Sequence, residues 1–550
     1  MIAAASRGWR PYALLLLLCL GLYVPGQASL PVMDRDEARF AQATRQMLES
    51  GDFLHIRFQD EARNRKPAGI YWLQAAAVAT LSHAESDAIW PYRLPSLLGA
   101  TAAVLMIFAF GASLFGREAA LVGAALLAAS LGLTIEAHLA KTDAVLLAAA
   151  VAAQAALGTI YRAARMPGAL PAPWRWALLF WVAQGVAMLV KGPVVPALSA
   201  LTVLALSVAD RDGRWLRRLH PAWGVPLAAL IVAPWLIAIS RATNDTFLAD
   251  SLGHDFLGKL LSAQESHGAW PGYYLALVAV TFWPGSLFLG GAALWAWRRR
   301  GEPAVRFLIA WAVPFWFVLE LVPTKLPHYL LPAFPALALL AGGALGDARA
   351  AVPAWPLRTA AVVWAVASLI LAATLALVPL QLDVGIDVAG VVAAMVILVY
   401  GGTLLRRTWR GLEPALAVRA VLLALLTVPA AIALEMPRLD PLWLSRAAAV
   451  MVAGEQHKPV RLPVAAVGYA EPSLVFLLGT RTDLTTPDAA AARITAAHGG
   501  LALVESRDDE AFRRALGARG WQARVVERAA GLDYSNGKRM VLTLYRGVPG

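Results

Sequence analysis

The chain has 550 residues, 59% of them hydrophobic and only 15% charged, with a formal net charge of +12. Soluble domains average about 45–50% apolar and about 25% charged residues, so an ordinary soluble globule, a disordered chain and a collagen-like chain are excluded. A lone cysteine, Cys19, excludes an internal disulfide framework. The basic residues are 41 arginines against 7 lysines, and most arginines stand in short loops between apolar runs, which is no nucleic-acid footprint. Mean hydropathy is +0.60. The composition describes an α-helical polytopic membrane protein.

A bilayer-crossing helix needs about 20 mostly apolar residues. Runs of that kind are expected near 11–30, 93–115, 118–137, 142–161, 173–189, 192–208, 222–240, 271–296, 304–322, 328–346, 357–379, 386–405 and 416–435. That makes thirteen. The stretch 69–82 is shorter and closed in by polar residues. Loop charge decides its place, because cytoplasmic loops carry the excess of Lys and Arg. With the start inside, thirteen spans put Arg117, Arg162, Arg165, Arg175, Arg211, Arg214, Arg217, Arg218, Arg298 to Arg300, Arg306, Arg349, Arg358, Arg406, Arg407 and Arg410 on one side. Counting 69–82 as a span would scatter them, so it reads as a juxtamembrane helix. The first run also resembles a signal-peptide core, Leu14–Leu18 followed by Gly26-Gln27-Ala28-Ser29. Retention is the expectation, and cleavage would leave the downstream topology unchanged.

Residues 1–437 therefore form the transmembrane domain, with external loops at 31–92 and 241–270. From 438 to 550 the pattern changes to short strands and polar helices. Strands are predicted at Val464–Tyr469, Leu501–Glu505, Arg524–Glu527 and Arg539–Tyr545, helices at Asp488–Ala497 and Asp508–Arg519, and a tight turn at Asn536-Gly537. This is a small α/β domain, and odd parity puts it in the periplasm. No fixed-period repeat supports an inverted-repeat transporter.

The lysines break the charge pattern. Lys66, Lys141, Lys191, Lys259 and Lys325 all map to the external side, against the positive-inside bias. An ammonium is a compact point charge suited to a phosphate; the competing reading is scattered snorkelling. Several stand at Gly/Pro breaks: Lys66-Pro67-Ala68-Gly69, Lys191-Gly192-Pro193 and Lys325-Leu326-Pro327-His328-Tyr329. Irregular backbone at membrane depth is tolerated where it lines a cavity, so these breaks predict a phosphate-binding cavity at the outer face. Acids are the other costly outlay. Asp34, Asp36 and Glu37 alternate with Arg35 and Arg39 directly after the first span, and Asp143 stands at the outer mouth of the fourth. Helix capping is the competing reading for each. His254, Glu265 and His267 could hold a metal, but their spacing matches no specific zinc motif.

These residues resemble the integral-membrane glycosyltransferases that use polyprenyl-phosphate sugars. Asp36-Glu37 with Arg39 resembles the first-loop signature. Lys66-Pro67-Ala68-Gly69-Ile70-Tyr71-Trp72 resembles the next motif of the bacterial aminoarabinose transferases, which are related to the protein O-mannosyltransferases. Lys191-Gly192, Pro234-Trp235, Tyr273-Tyr274 and Lys325-Leu326-Pro327-His328-Tyr329 follow in the family's order. The resemblance covers nearly the whole chain. It implies a GT-C-type fold, a reaction centre at Asp36 and Asp143 with Glu37 beside them, and lipid phosphate held by Lys66, Lys259 and Lys325 with Arg39 and Tyr329. Lys191, His328, Tyr71 and Tyr273 would line the substrate cavity. Arg65 departs from the pattern, because the family places a Glu there that can help hold a metal ion. A zinc or magnesium ion at His254 is the one candidate cofactor.

The activity implied is inverting transfer of a sugar, 4-amino-4-deoxy-L-arabinose or similar, from undecaprenyl phosphate to lipid A or a related glycolipid at the periplasmic face of the bacterial inner membrane. The partners expected are the lipid-linked donor, the glycolipid acceptor and membrane lipids, with a monomeric enzyme and no nucleic acid. One alternative keeps the chemistry and changes the acceptor to a Ser/Thr hydroxyl of a protein. Another is a lipid flippase or transporter, which would place ionisable residues in mid-span.

Overall fold

The computed structural model describes residues 2–63, 66–84, 86–166, 172–244, 246–248, 268–347, 353–409, 411–456 and 462–550. Each expected apolar run forms a helix or a bent helix pair. Among the described residues, eight helices are long and apolar enough to cross a membrane, and up to ten if each bent pair counts as one span. The runs at 11–30, 173–189 and 192–208 form Arg10–Tyr23, Trp174–Lys191 and Val194–Asp210. Asp143–Arg165 and Pro327–Gly346 are the central helices, each 83% buried over its most apolar window. Pro221–Ala242 and Ala354–Gln381, at 28%, turn most of their surface outward.

Two runs that look continuous in sequence are broken. Arg117–Ala129 and Leu131–Ala137 meet at 60°, and Tyr273–Thr281 meets Gly285–Arg298 at 117°. At the first break Ser130 is extended and its hydroxyl donates to the Leu127 carbonyl at 2.7 Å. At the second, Pro284 offers no N–H to continue the ladder. Small residues set the closest approach between helices. A Cβ added at Gly123 would lie 2.8 Å from the Ala338 carbonyl oxygen, and one at Gly342 would collide with that of Ala119. Arg117–Ala129 and Phe334–Gly346 thus touch backbone to backbone, the packing that membrane helices achieve with glycine and alanine.

The first long connection, 31–92, is built, not merely connecting. It holds the Asp36–Ser50 helix, a minimal hairpin of β1 (Arg57–Phe58) and β2 (Glu61–Ala62), and the Gly69–Leu81 helix at the position predicted for a juxtamembrane helix. The C-terminal domain is a five-stranded mixed sheet of β3 (Val464–Val467), β4 (Asp483–Thr485), β5 (Gly500–Glu505), β6 (Trp521–Asp533) and β7 (Lys538–Pro549). Their order is β4-β3-β5-β7-β6, with β4, β3 and β5 parallel and β7 and β6 antiparallel. β5 is buried along its whole length, as a central strand between two covered faces must be. Leu444, Ala448 and Met451 of the Leu444–Glu455 helix cover one face. Ile494, Phe512 and Leu516 cover the other.

Candidate active site

Four chain breaks deliver charged side chains to one place. Asp36 opens the first-loop helix, and Asp143 opens its central helix, both ends that favour an acid. Lys191 is the last residue of Trp174–Lys191, which Gly192 ends in the left-handed region at φ 77°. Glu136 lies at the end of Leu131–Ala137, and His328 and Tyr329 lie in the 3-10 turn Pro327–Ala333. Lys141 sits in the 138–142 link before Asp143. That link is pinned from three sides: Glu37 accepts the Ala140 N–H at 2.8 Å, Gln74 donates to the Ala140 carbonyl at 3.0 Å, and Ser96 donates to the Lys141 carbonyl at 3.2 Å.

Lys191 Nζ lies 2.5 Å from Asp143 Oδ1 and 5.5 Å from the centre of the Tyr329 ring. Lys141 Nζ donates to Glu136 Oε1 at 3.1 Å. His328 bridges the two acids, with Nδ1 3.7 Å from Glu136 and Nε2 3.8 Å from Asp143. Lys141, Glu136 and Asp143 are each more than nine-tenths buried. The other oxygen of Glu136, Oε2, has no hydrogen-bond partner among the described residues. Asp36 keeps solvent contact, although protein forms most of its carboxyl's surroundings. Desolvation pushes its pKa up, but the charges of Lys141, Arg63 and His328 outweigh that and hold it below the usual carboxylate range. The site is therefore an alternation of three acids with two lysines and a histidine, in which each charge is offset by a neighbour.

The sequence-predicted residues divide accordingly. Asp36, Asp143, Lys191, His328 and Tyr329 come together. Glu37, expected beside Asp36 at the reaction centre, instead faces Arg93. Arg93 Nε and Nη2 grip its carboxylate at 2.8 and 2.9 Å, both side chains are buried, and Glu37 Oε2 also accepts the Met33 N–H at 2.8 Å. Its lone pairs are taken, so it acts as an anchor rather than a reacting group. Arg93 also donates to the carbonyls of Gln27, Leu30 and Pro31, tying the first loop to the membrane helices. Tyr71, expected in the cavity wall, is fully buried, its ring 5.3 Å from that of Phe40 in an apolar cluster with Trp235. That is core packing. Lys325 is buried and donates to the Val322 carbonyl at 2.5 Å. Tyr273 stacks edge-on against Tyr274 at 5.0 Å. Lys66 and Arg39 are half-buried. Lys259, His254, His267, Glu265 and Arg65 lie outside the described residues. No group of three His, Cys, Asp or Glu suited to a metal occurs among the described residues. Glu136 and Arg63 were missed by sequence reasoning. Glu136 interrupts an apolar run, and an acid in such a run is itself a signal of function.

Residues 11–245 match the family of dolichyl-phosphate-mannose-protein mannosyltransferases. Over 338 residues the chain is 29% identical to the undecaprenyl phosphate-alpha-4-amino-4-deoxy-L-arabinose arabinosyl transferase of Pseudomonas paraeruginosa, covering 60% of this chain and 59% of the relative. The protein of that name from Erwinia tasmaniensis is 28% identical over 332 residues, covering 60% and 58%. The chain thus spans 59% and 58% of the length of these curated relatives. Its fold matches the crystal structure of ArnT from Cupriavidus metallidurans bound to undecaprenyl phosphate with a TM-score of 0.77, at 21% identity and 97% coverage of both chains. An Archaeoglobus fulgidus oligosaccharyltransferase matches at TM-score 0.53 and 13% identity, covering 88% of this chain and 65% of that one. The chain is a multi-pass membrane protein that shares its fold with ArnT and is similar in sequence to the aminoarabinose transferases and, over residues 11–245, to the protein mannosyltransferases.

Proposed function

We propose that this protein transfers a sugar, 4-amino-4-deoxy-L-arabinose or one like it, from undecaprenyl phosphate to lipid A or a similar glycolipid. The observation that carries the reading is the convergence of Asp36, Asp143, Lys141, Lys191 and His328 at chain breaks, in a chain similar to arabinosyl transferases. The site and the C-terminal domain face the periplasm, since the arginine clusters from Arg117 to Arg410 then lie inside. The donor's leaving group is a phosphate monoester whose negative charge grows as the glycosidic bond breaks. Lysines fixed beside it stabilise that charge in the transition state. Asp36 orients the acceptor and stabilises positive charge developing on the sugar.

The low pKa direction of Asp36 favours a phosphate acceptor. A carboxylate held below its usual range is a weak base, whereas removing a hydroxyl proton calls for a base tuned toward the working pH. A lipid A phosphate is already anionic and needs no such base. The Ser/Thr-acceptor reading therefore ranks second.

The test is Lys66→Ala in the full-length protein with a lipid-linked sugar donor. The reading expects turnover to be lost while folded protein is still recovered, and Lys66→Arg to rescue poorly, because a planar fork does not replace a point charge. Near-normal turnover in Lys66→Ala would leave that lysine without a role at the leaving group.

A second result is expected at the domain junction. Asp34 accepts the Ser473 N–H at 3.0 Å. Burial, together with Glu471 and Asp533, pushes its pKa up to about 7, against the hydrogen bonds from Ser473. A raised carboxyl pKa means that the folded junction favours the protonated form. Its stabilising contribution is complete below the unfolded value near 4 and is lost as pH rises through about 7. Glu471 is raised as well, by burial and by Asp533, and adds to the same trend, whereas Tyr469 and Tyr534 are raised by burial and stay neutral. Limited proteolysis should therefore show the C-terminal domain held more firmly at pH 5 than at pH 8, and Asp34→Asn should flatten the difference. An unchanged profile in Asp34→Asn would assign the pH dependence to other groups.

A further inference from the structure

Asp36 is bracketed by two anchors of different origin. On one side Glu37 is locked to Arg93 of the membrane domain. On the other, the two preceding residues are held by the C-terminal domain. The Asp34 N–H donates to the Tyr534 hydroxyl at 2.6 Å, and the Arg35 guanidinium donates to the Ser535 carbonyl at 3.1 Å. Asp34 also accepts from the Ser473 backbone. Tyr534 and Ser535 lie in the turn between β6 and β7, so the tip of the longest hairpin reaches the residues beside Asp36.

The backbone there needs holding. Arg35 sits at φ 63° and ψ −97°, outside the regions that an L side chain enters readily. Such a conformation persists only where the surroundings over-determine it. The turn is itself made rigid. Ser535 Oγ bonds Glu471 and Asp533 at 2.5 Å each, Asn536 donates to Asp533 at 2.6 Å, and Tyr534 packs edge-on against Trp443 at 6.2 Å. Further along the first-loop helix the same domain docks through different residues. Gln42 donates to Thr480 at 2.8 Å, and Arg45 donates to the Phe476 carbonyl at 2.8 Å.

We propose that the C-terminal domain is a positioning element for the reaction, and that Tyr534 is the residue through which it fixes the Asp34–Arg35 bend that aims Asp36 into the charge cluster. This rests on the reading of Asp36 as a reaction-centre residue. Tyr534 touches neither substrate nor reacting atoms; it acts through the backbone of Asp34. A small misplacement of a reacting group can cost about 10²-fold in rate, so one hydroxyl remote from the chemistry is enough to matter.

The experiment uses the full chain, a lipid-linked sugar donor and four variants: Tyr534→Phe, Thr480→Val, Asp36→Asn, and Tyr534→Phe combined with Asp36→Asn. Tyr534→Phe should lower kcat by about tenfold or more with donor KM and melting temperature unchanged. Thr480→Val, which weakens docking away from Asp36, should leave kcat as it was. In the Asp36→Asn background, Tyr534→Phe should add no further loss, because the group it positions is already gone. A normal kcat in Tyr534→Phe, an equal loss in Thr480→Val, or full additivity in the double variant would each overturn the proposal. The failure of the underlying reading looks different: Asp36→Asn would itself stay active, which removes the role of Asp36 and the clamp with it.

Discussion

Asp36→Asn should slow sugar transfer by about 10²–10⁴-fold, the range for a lost acid–base or electrostatic group, while the protein remains folded. The substitution keeps shape and removes charge from a side chain surrounded by Lys141, Arg63 and His328. The size of the loss does not separate a base from a positioning charge, but the rate against pH with a phosphate acceptor does. The cations Lys141 and Arg63 hold the Asp36 pKa down, so the carboxylate is ionised across the neutral range. A positioning charge leaves any acid limb of the profile to the acceptor phosphate, and that limb should persist in Asp36→Asn. A limb present in the native enzyme and missing only from the variant would establish Asp36 as a base and favour a hydroxyl acceptor.

The second large effect is expected at a residue far from the substrate. Arg93→Leu should destabilise the folded protein by about 3–5 kcal/mol, the cost of breaking a buried ion pair and leaving its partner uncompensated. Glu37 would be stranded in a site where it is 1% exposed, and three backbone carbonyls would lose their donor. Arg93→Lys should recover little, because an ammonium cannot grip both carboxylate oxygens and reach three carbonyls. Thermal unfolding of the detergent-solubilised protein checks this. A melting temperature equal to that of the native chain would mean that Glu37 and Arg93 do not anchor the first loop.

Apolar run length was enough to place the apolar helices, Gly69–Leu81 among them, because it follows from local composition. The breaks at Ser130 and Pro284 were not legible, since the runs around them stay apolar and hydropathy does not register direction. In the C-terminal domain, β6 was read as Arg524–Glu527 but extends over Trp521–Asp533. As an edge strand it is largely exposed, and its pattern lacks the apolar alternation that marks a buried one. Asp36, Asp143, Lys191, His328 and Tyr329 were legible because each stands at a Gly/Pro break or span end. The pairing of Glu37 with Arg93 was not, because it joins residues 56 positions apart. The adjacent acids Asp36 and Glu37 look equivalent in sequence; successive positions on a helix point about 100° apart, which sends one to the site and the other to its anchor. Tyr71 was misplaced for a related reason: an aromatic in a motif reads as a contact, yet its ring fills the core beneath the loop.

The central claim is transfer of a sugar to a glycolipid phosphate, and mass spectrometry of lipid A from cells with and without the gene tests it most directly. The expected result is a lipid A species heavier by one sugar residue that disappears on deletion, returns with the native gene and does not return with Asp36→Asn. Identical lipid A in all of these cells, under conditions where the protein is present in the membrane, would contradict it.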